Sequence, residues 1–265
     1  MQLTSAQNPR VKALLALRRR RSRERSEVTL VEGYEELALA LDAGVSPRTL
    51  YHCPELTGAP DERAVLDRVA PLGTEVIELS RAVFDRVAYR ESPDGWLAVV
   101  PSVQTDLDRL QIGQGALVLV CEAVEKPGNL GAMLRTADAA GVAAVVAAGP
   151  VTDWANPNLV RASKGTLFSV PVGAGSTDEV LRWLAGHALP IVATTPDSDV
   201  LISEVDLAGP VAIAVGSEKY GLSAHFLANA SVRARIPMFG RADSLNVATS
   251  AAIVAYEAVR QRMSR

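Results

Sequence analysis

Three uninterrupted apolar runs constrain this chain more than any other feature: residues 116–121 (Ala-Leu-Val-Leu-Val-Cys), 143–148 and 211–215. A strand with one wetted face alternates apolar and polar side chains, whereas a strand covered on both faces is apolar throughout. Helical spacing separates these runs, over about 129–140, near 158–163 and over 177–187, with further strand-like stretches at 168–172, 191–194 and 232–236. A helix from Leu222 and a long terminal helix over 244–263 complete the pattern. Apolar strands alternating with helices predict an α/β fold with a mostly parallel sheet and helices on both faces.

The first hundred residues alternate on a smaller scale. β-like stretches at 28–31, 49–53 and 75–79 and a buried strand at 96–100, closed by Pro101, intersperse with helical patterns at 32–43, 61–70 and 82–88. Asn8-Pro9 reads as a helix cap followed by proline in the first turn, with Val11, Leu14 and Leu15 at helical spacing behind it. The polar segment 102–114 then suits a linker. The expected organisation is therefore an N-terminal domain over 1–101, a linker over 102–114 and a second domain over 115–265. With 265 residues and 48% hydrophobic composition, the chain buries enough surface to need neither disulfide nor metal staple.

Charge is divided unevenly along this chain. Residues 1–25 hold eight basic side chains (Arg10, Lys12, Arg18, Arg19, Arg20, Arg21, Arg23, Arg25) against Glu24, a balance of +7, while the rest carry 19 basic and 29 acidic groups, a balance of −10. The overall −3 thus conceals a basic arm suited to a polyanion on an acidic body. The longest apolar stretch, residues 139–151, is broken by Gly141, Gly149 and Pro150 and falls short of a bilayer span. The N-terminal apolar patch is followed, rather than preceded, by arginines, unlike a secretory signal. Cys53 and Cys121 form no spaced pair, which fits a reducing cytoplasm. His52, His187 and His225 lack metal-ligand spacing, so no metal is expected.

In open parallel sheets ligands bind beyond the carboxyl ends of the strands, and three segments there are unusual. The first, residues 125–137, carries Asn129, Gly131, Arg135 and Thr136; its glycines do not make the dinucleotide fingerprint, which argues against a nicotinamide oxidoreductase. Read alone, Asn129 is a helix cap and Arg135 a solvated arginine. The second, residues 215–222 (Val-Gly-Ser-Glu-Lys-Tyr-Gly-Leu), places Glu218 either as a helix-capping anion or as a fixed acceptor for a ligand. Gly216 lets the backbone approach a ligand closely. In the third, residues 236–249, Ser244 is a candidate cap, and Asn246 and Thr249 fall in early helix positions where capping alone does not call for asparagine.

Together these segments, N-x-G-x-x-x-R-T-A at Asn129, G-S-E-x-x-G-L at Gly216, and I-P-M at Ile236 with S-L-N-V-A at Ser244, resemble the motifs of the SpoU/TrmH family of RNA ribose methyltransferases in the SPOUT superfamily. Residues 161–171 look like that family's linking segment, and Leu30-Val-Glu-Gly33 resembles its substrate-binding domain. Two positions depart from the pattern: Glu125-Lys126 stands where many relatives have aspartate before the proline, and Tyr220 is bulkier than usual.

The resemblance implies a SPOUT domain with a deep trefoil knot, a small ribosomal-protein-like RNA-binding domain before it, S-adenosylmethionine as cofactor, and a ribose 2′-hydroxyl of structured RNA as substrate. Ribosomal RNA is favoured, with transfer RNA or a non-catalytic ribosome-assembly role as alternatives. It further implies cofactor contacts at Thr194, Gly216, Ile236, Met238, Leu245 and Ala248, RNA contacts by the eight basic residues of the arm, and a homodimer through the knotted region. Arg135 carries the central role, with Asn129, Glu218, Ser244 and Asn246 supporting it. A guanidinium is too basic to act as a general base, so Arg135 is expected to grip a phosphate and orient the hydroxyl.

Overall fold

The computed structural model describes residues 2–57 and 63–264. The chain divides into two compact units, Met1–Val103 with Asp153–Ser169, and Gln104–Thr152 with Val170–Arg265.

In the first unit β1 (Gln2–Leu3), α1 (Pro9–Ala16), α2 (Arg20–Ser26), β2 (Val28–Glu32), α3 (Tyr34–Asp42), β3 (Thr49–His52), α4 (Arg63–Val69), β4 (Glu75–Leu79), α5 (Arg81–Val87) and β5 (Trp96–Pro101) follow in order. The sheet runs β1-β4-β3-β5-β2, with β5 antiparallel to both neighbours. Asn8 caps α1 by accepting the Arg10 N–H, and Pro9 opens the helix. The start of the helix expected from residue 61 lies outside the described residues. Leu3, Val11 and Leu14 join Phe84, Leu79 and Leu30 in the core, so the basic segment is built into the unit and is not a free arm.

The second unit contains β6 (Leu117–Glu122), α6 (Pro127–Ala139) and β7 (Ala144–Ala148); α7 (Pro157–Ala162) then belongs to the first unit. After it come β8 (Val172–Gly175), α8 (Thr177–Gly186), β9 (Ile191–Thr194), β10 (Val211–Val215), α9 (Ala224–Ala228), β11 (Val232–Ala234) and α10 (Val247–Met263). All six strands are parallel, in the order β11-β9-β10-β6-β7-β8. Every residue of β6, β7 and β10 is buried, as continuous apolar runs require. No helix among the described residues is long and apolar enough to cross a membrane.

Several local expectations are corrected. The segment 102–114 is packed: Leu107, Leu110 and Ile112 lie against the core of the second sheet, and the Ala174 N–H donates to the Thr105 carbonyl. Residues 153–169 leave the second unit for the first, where the Thr29 hydroxyl donates to the Ala155 carbonyl at 2.7 Å. The strand expected at 168–172 starts only at Val172, behind a 3-10 turn at Thr166–Phe168. The final helix starts at Val247, and its cap is Asn246 rather than Ser244.

Candidate functional site

The three unusual segments converge at the carboxyl ends of the second sheet's strands through side-chain hydrogen bonds. The Asn246 Oδ1 accepts the N–H groups of Ala248 at 3.0 Å and Thr249 at 3.4 Å. Its Nδ2 donates to Asn129 Oδ1 at 3.2 Å, and Asn129 Nδ2 donates to Glu218 Oε1. The direction of this chain is dictated at both ends. A carboxylate only accepts, so it demands the amide nitrogen of Asn129; backbone N–H groups only donate, so they demand the amide oxygen of Asn246. Each asparagine thus has one orientation that satisfies both neighbours. Lys126 Nζ stands 3.9 Å from Glu218 Oε1.

Local structure explains how each member is held. Lys126 occupies the cap position of α6 and makes no side-chain cap bond, so Asn129 lies inside the first turn and is not a cap. Glu218 sits in a tight loop closed by reciprocal backbone bonds between Ser217 and Gly221, at 3.1 and 2.9 Å. Gly216 is the pivot of that loop. A Cβ there would fall 2.0 Å from the Gly221 carbonyl carbon and 2.2 Å from the Leu222 nitrogen. The glycine is therefore required by the chain's own loop.

Beside this network lies a small cleft of about 100 Å³ lined by Thr194, Thr195, Pro196, Ile236, Met238, Asp243, Ser244, Leu245 and Ser250. Four of the six expected cofactor residues (Thr194, Ile236, Met238 and Leu245) line it, and so does Ser244. Ala248 is instead buried in the first turn of α10, with its N–H spent on the cap. The Thr194 hydroxyl is committed to the Ala214 carbonyl at 2.8 Å. Along residues 236–245 no backbone group joins a backbone–backbone hydrogen bond with any described residue. An apolar wall bordered by free backbone donors and acceptors suits a flat heteroaromatic ring whose edge is read by main-chain groups, which fits the adenine of S-adenosylmethionine.

Arg135 stands apart. It lies six residues beyond Asn129 on α6, which places the two roughly 120° apart around the helix. It is exposed, outside the cleft lining, and without a hydrogen bond or ion pair among the described residues.

The eight basic residues divide by environment. Arg23 is 3% exposed, donates to the Leu17 and Arg18 carbonyls and pairs with Asp153 at 3.1 Å; burial removes it from the expected RNA contacts. Arg18 donates to the Arg86 and Ala88 carbonyls and lies over the Tyr89 ring. Arg10 pairs with Glu75, and Arg20 with Glu24 and Asp153. Lys12, Arg19, Arg21 and Arg25 are exposed and make no ion pair among the described residues.

Sequence reasoning missed Glu122. This buried acid ends the central strand β6 and accepts from the Ser223 N–H and hydroxyl, each at 2.7 Å, and from the Thr177 hydroxyl at 3.1 Å. A charged residue closing an otherwise apolar run was the available signal.

A parallel-sheet unit whose strand-end loops form this network and cleft, joined in one chain to a small mixed-sheet unit, has the build of a SpoU-type methyltransferase. Residues 116–256 match the SpoU rRNA Methylase family, and residues 8–98 match the MRM3-like substrate binding domain. The chain belongs to the SpoU rRNA Methylase family. It is 33% identical over 252 residues to the 23S rRNA (uridine(2479)-2′-O)-methyltransferase of Streptomyces viridochromogenes, covering 92% of this chain and 87% of that one. To the 23S rRNA (guanosine(2553)-2′-O)-methyltransferase RlmP of Bacillus subtilis it is 29% identical, covering 96% and 98%. Among solved structures, an AdoMet-bound rRNA methyltransferase from Sinorhizobium meliloti superposes with a TM-score of 0.90 at 31% identity, covering 98% of this chain and 97% of that one. An RNA 2′-O ribose methyltransferase superposes with a TM-score of 0.88 at 42% identity, covering 99% and 100%.

Proposed function

We propose that this chain methylates one ribose 2′-hydroxyl of ribosomal RNA through the site formed by Glu218, Asn129, Asn246 and the adjoining cleft. It is an S-adenosylmethionine-dependent RNA 2′-O-methyltransferase. The observation that carries the siting is the hydrogen-bonded chain itself, which ties the loops after β6 and β10 to the head of α10 beside an apolar cleft.

Bound S-adenosylmethionine supplies an electrophilic methyl group. Ile236, Met238 and Leu245 would hold its adenine, with the free backbone of residues 236–245 reading the ring's edge. Glu218 and the two asparagines fix the loops and present a carboxylate with a defined direction. Arg135, permanently charged and without an ion pair among the described residues, is suited to grip the RNA phosphate next to the target and to orient the hydroxyl for attack.

The same reading includes a trefoil knot in the second unit, supported by α10 returning against α6 and β6 after β11 has closed the far edge of the sheet. It includes a homodimer, supported by the exposed Ile253, Tyr256 and Met263 on α10, and a cytoplasmic location, where ribosomal RNA is found. Lys12, Arg19, Arg21 and Arg25 supply the cations that face RNA, in a substrate-binding domain over residues 1–101 that precedes a methyltransferase domain over 115–265.

The test is transfer of labelled methyl from S-adenosylmethionine to unmodified ribosomal RNA, followed by mapping of the 2′-O-methyl position. Arg135→Ala should abolish transfer and leave cofactor binding by calorimetry intact. Full activity in that variant sinks its role, and absence of transfer to ribosomal RNA with transfer to transfer RNA sinks the substrate assignment.

A further inference from the structure

Tyr220 and Phe239 stand out once the described aromatic residues are compared, both more exposed than Tyr256 at 50%. Trp96, Trp154 and Trp183 are between 1% and 7% exposed and Phe84 and Phe226 are fully buried, yet Tyr220 is 74% exposed and Phe239 is 97% exposed. An aromatic ring left in water is a poor investment of apolar surface unless something covers it. The two differ in how they are held. Phe239 lies on the stretch whose backbone makes no backbone–backbone bonds with any described residue. Tyr220 sits in the closed loop between Ser217 and Gly221, its own N–H donating to the Ser217 hydroxyl at 3.1 Å. That loop also carries Glu218, bonded to Asn129. The position of the ring is therefore tied to the reaction site, two residues away.

A cation accompanies the ring. Lys219 Nζ lies 4.7 Å from the centre of the Tyr220 ring, and Lys126 lies beside Glu218. An exposed aromatic ring on a closed loop, with a lysine beside it, is an arrangement that binds unpaired nucleotides: the ring stacks on the base and the ammonium group meets a backbone phosphate. A protein partner would call for a wider apolar patch than one ring flanked by charge.

We infer that Tyr220 is a positioning residue whose ring stacks on an unpaired RNA base at or next to the target nucleotide, with Lys219 on the adjoining phosphate. This rests on the methyltransferase reading of the same site. Stacking on this ring favours a nucleotide that is looped out over one held in a duplex, so the preferred substrate is a ribose in a loop or bulge. Because every base has a π-face, the contact selects exposure rather than base identity.

Two measurements on the full chain test this. In steady-state methyl transfer to unmodified ribosomal RNA, Tyr220→Ala should lower kcat/KM for RNA about tenfold or more, with S-adenosylmethionine affinity unchanged; Tyr220→Phe and Tyr220→Trp should restore it. A Tyr220→Ala variant within twofold of the parent, or a Tyr220→Phe variant as impaired as Tyr220→Ala, overturns the stacking role. The second readout is independent of turnover. All three native tryptophans are buried, so Tyr220→Trp introduces the chain's exposed emitter. A single-stranded RNA hexamer should quench its fluorescence, and inorganic polyphosphate, which offers charge without bases, should not. Absence of quenching by the hexamer, or equal quenching by polyphosphate, overturns the proposal. If the parent transfers no methyl to any RNA, the methyltransferase siting fails, and the quenching result decides the stacking separately.

Discussion

Asn246 does two jobs that substitution can separate. Its side-chain oxygen caps α10, and its amide nitrogen holds Asn129. Asn246→Ala removes both. Loss of an N-cap costs about 1 kcal/mol, and a neutral hydrogen bond at a largely exposed position adds about 0.5 kcal/mol. A total of about 1.5 kcal/mol corresponds to a fall in Tm of roughly 3–6 °C for a chain of this size. Asn246→Asp keeps the cap, because a carboxylate accepts the Ala248 and Thr249 N–H groups and interacts favourably with the helix dipole. It cannot donate. Asn129 then faces a carboxylate at 246 and another at Glu218 with a single amide group between them, and whichever way that amide turns, its oxygen meets an anion.

The aspartate variant should therefore melt within about 2 °C of the parent, since cap and dipole are retained, yet transfer methyl groups about 10- to 100-fold more slowly, as expected when the reacting geometry is misplaced. Differential scanning calorimetry and labelled methyl transfer, run on the same preparations, give both quantities. An Asn246→Ala variant whose Tm does not move would refute the cap assignment. Undiminished transfer by Asn246→Asp would refute the claim that the directed chain from Glu218 to α10 matters to the reaction.

Four further outcomes are expected. Gly216→Ala puts a methyl group against the Gly221 backbone, so the loop must open; a loss of about 1–3 kcal/mol in urea unfolding should accompany loss of transfer, and an unchanged midpoint would contradict the close packing. Arg23→Ala leaves the half-buried Asp153 to the more distant Arg20 and strips the Leu17 and Arg18 carbonyls of their donor, and should cost about 2–3 kcal/mol. Replacing Arg19, Arg21 and Arg25 together with glutamine should leave stability within about 0.5 kcal/mol per site and lower the salt dependence of RNA binding by about two log units per log of salt; equal destabilisation by the two sets would overturn the division between buried and exposed cations. Glu257 is held down to about 2, chiefly by its hydrogen bond to Arg260. Because its folded value lies below its unfolded one, its contribution to stability is present above the usual carboxylate value of 4.5 and fades as pH falls from there toward about 2. Glu257→Gln should flatten acid unfolding within that window, and an acid limb superimposable on the parent's would exclude the group.

What was legible in the residues follows from the range of the forces involved. Burial on both faces is written locally, so β6, β7 and β10 could be read directly from their apolar runs. The assignment of the cap could not: Ser244 and Asn246 are both good capping residues, and the choice depends on Asn129, 117 positions away, which holds one of them in place. Arg23 illustrates the same limit. An arginine among arginines reads as solvated, and only Asp153, 130 positions later, makes it structural. This also explains why a truncation of residues 1–25 is the wrong probe of RNA affinity, since it removes Leu3, Val11 and Leu14 from the core along with the charge. Asn129, Glu218 and Asn246 were recognisable as a set only through the family's motifs, each of which read alone is a cap, a capping anion or an oddly placed polar residue. Their common cause is mutual contact: each asparagine is fixed by the other, and the carboxylate sets the direction of both. Substituting any one therefore alters the surroundings of the remaining two.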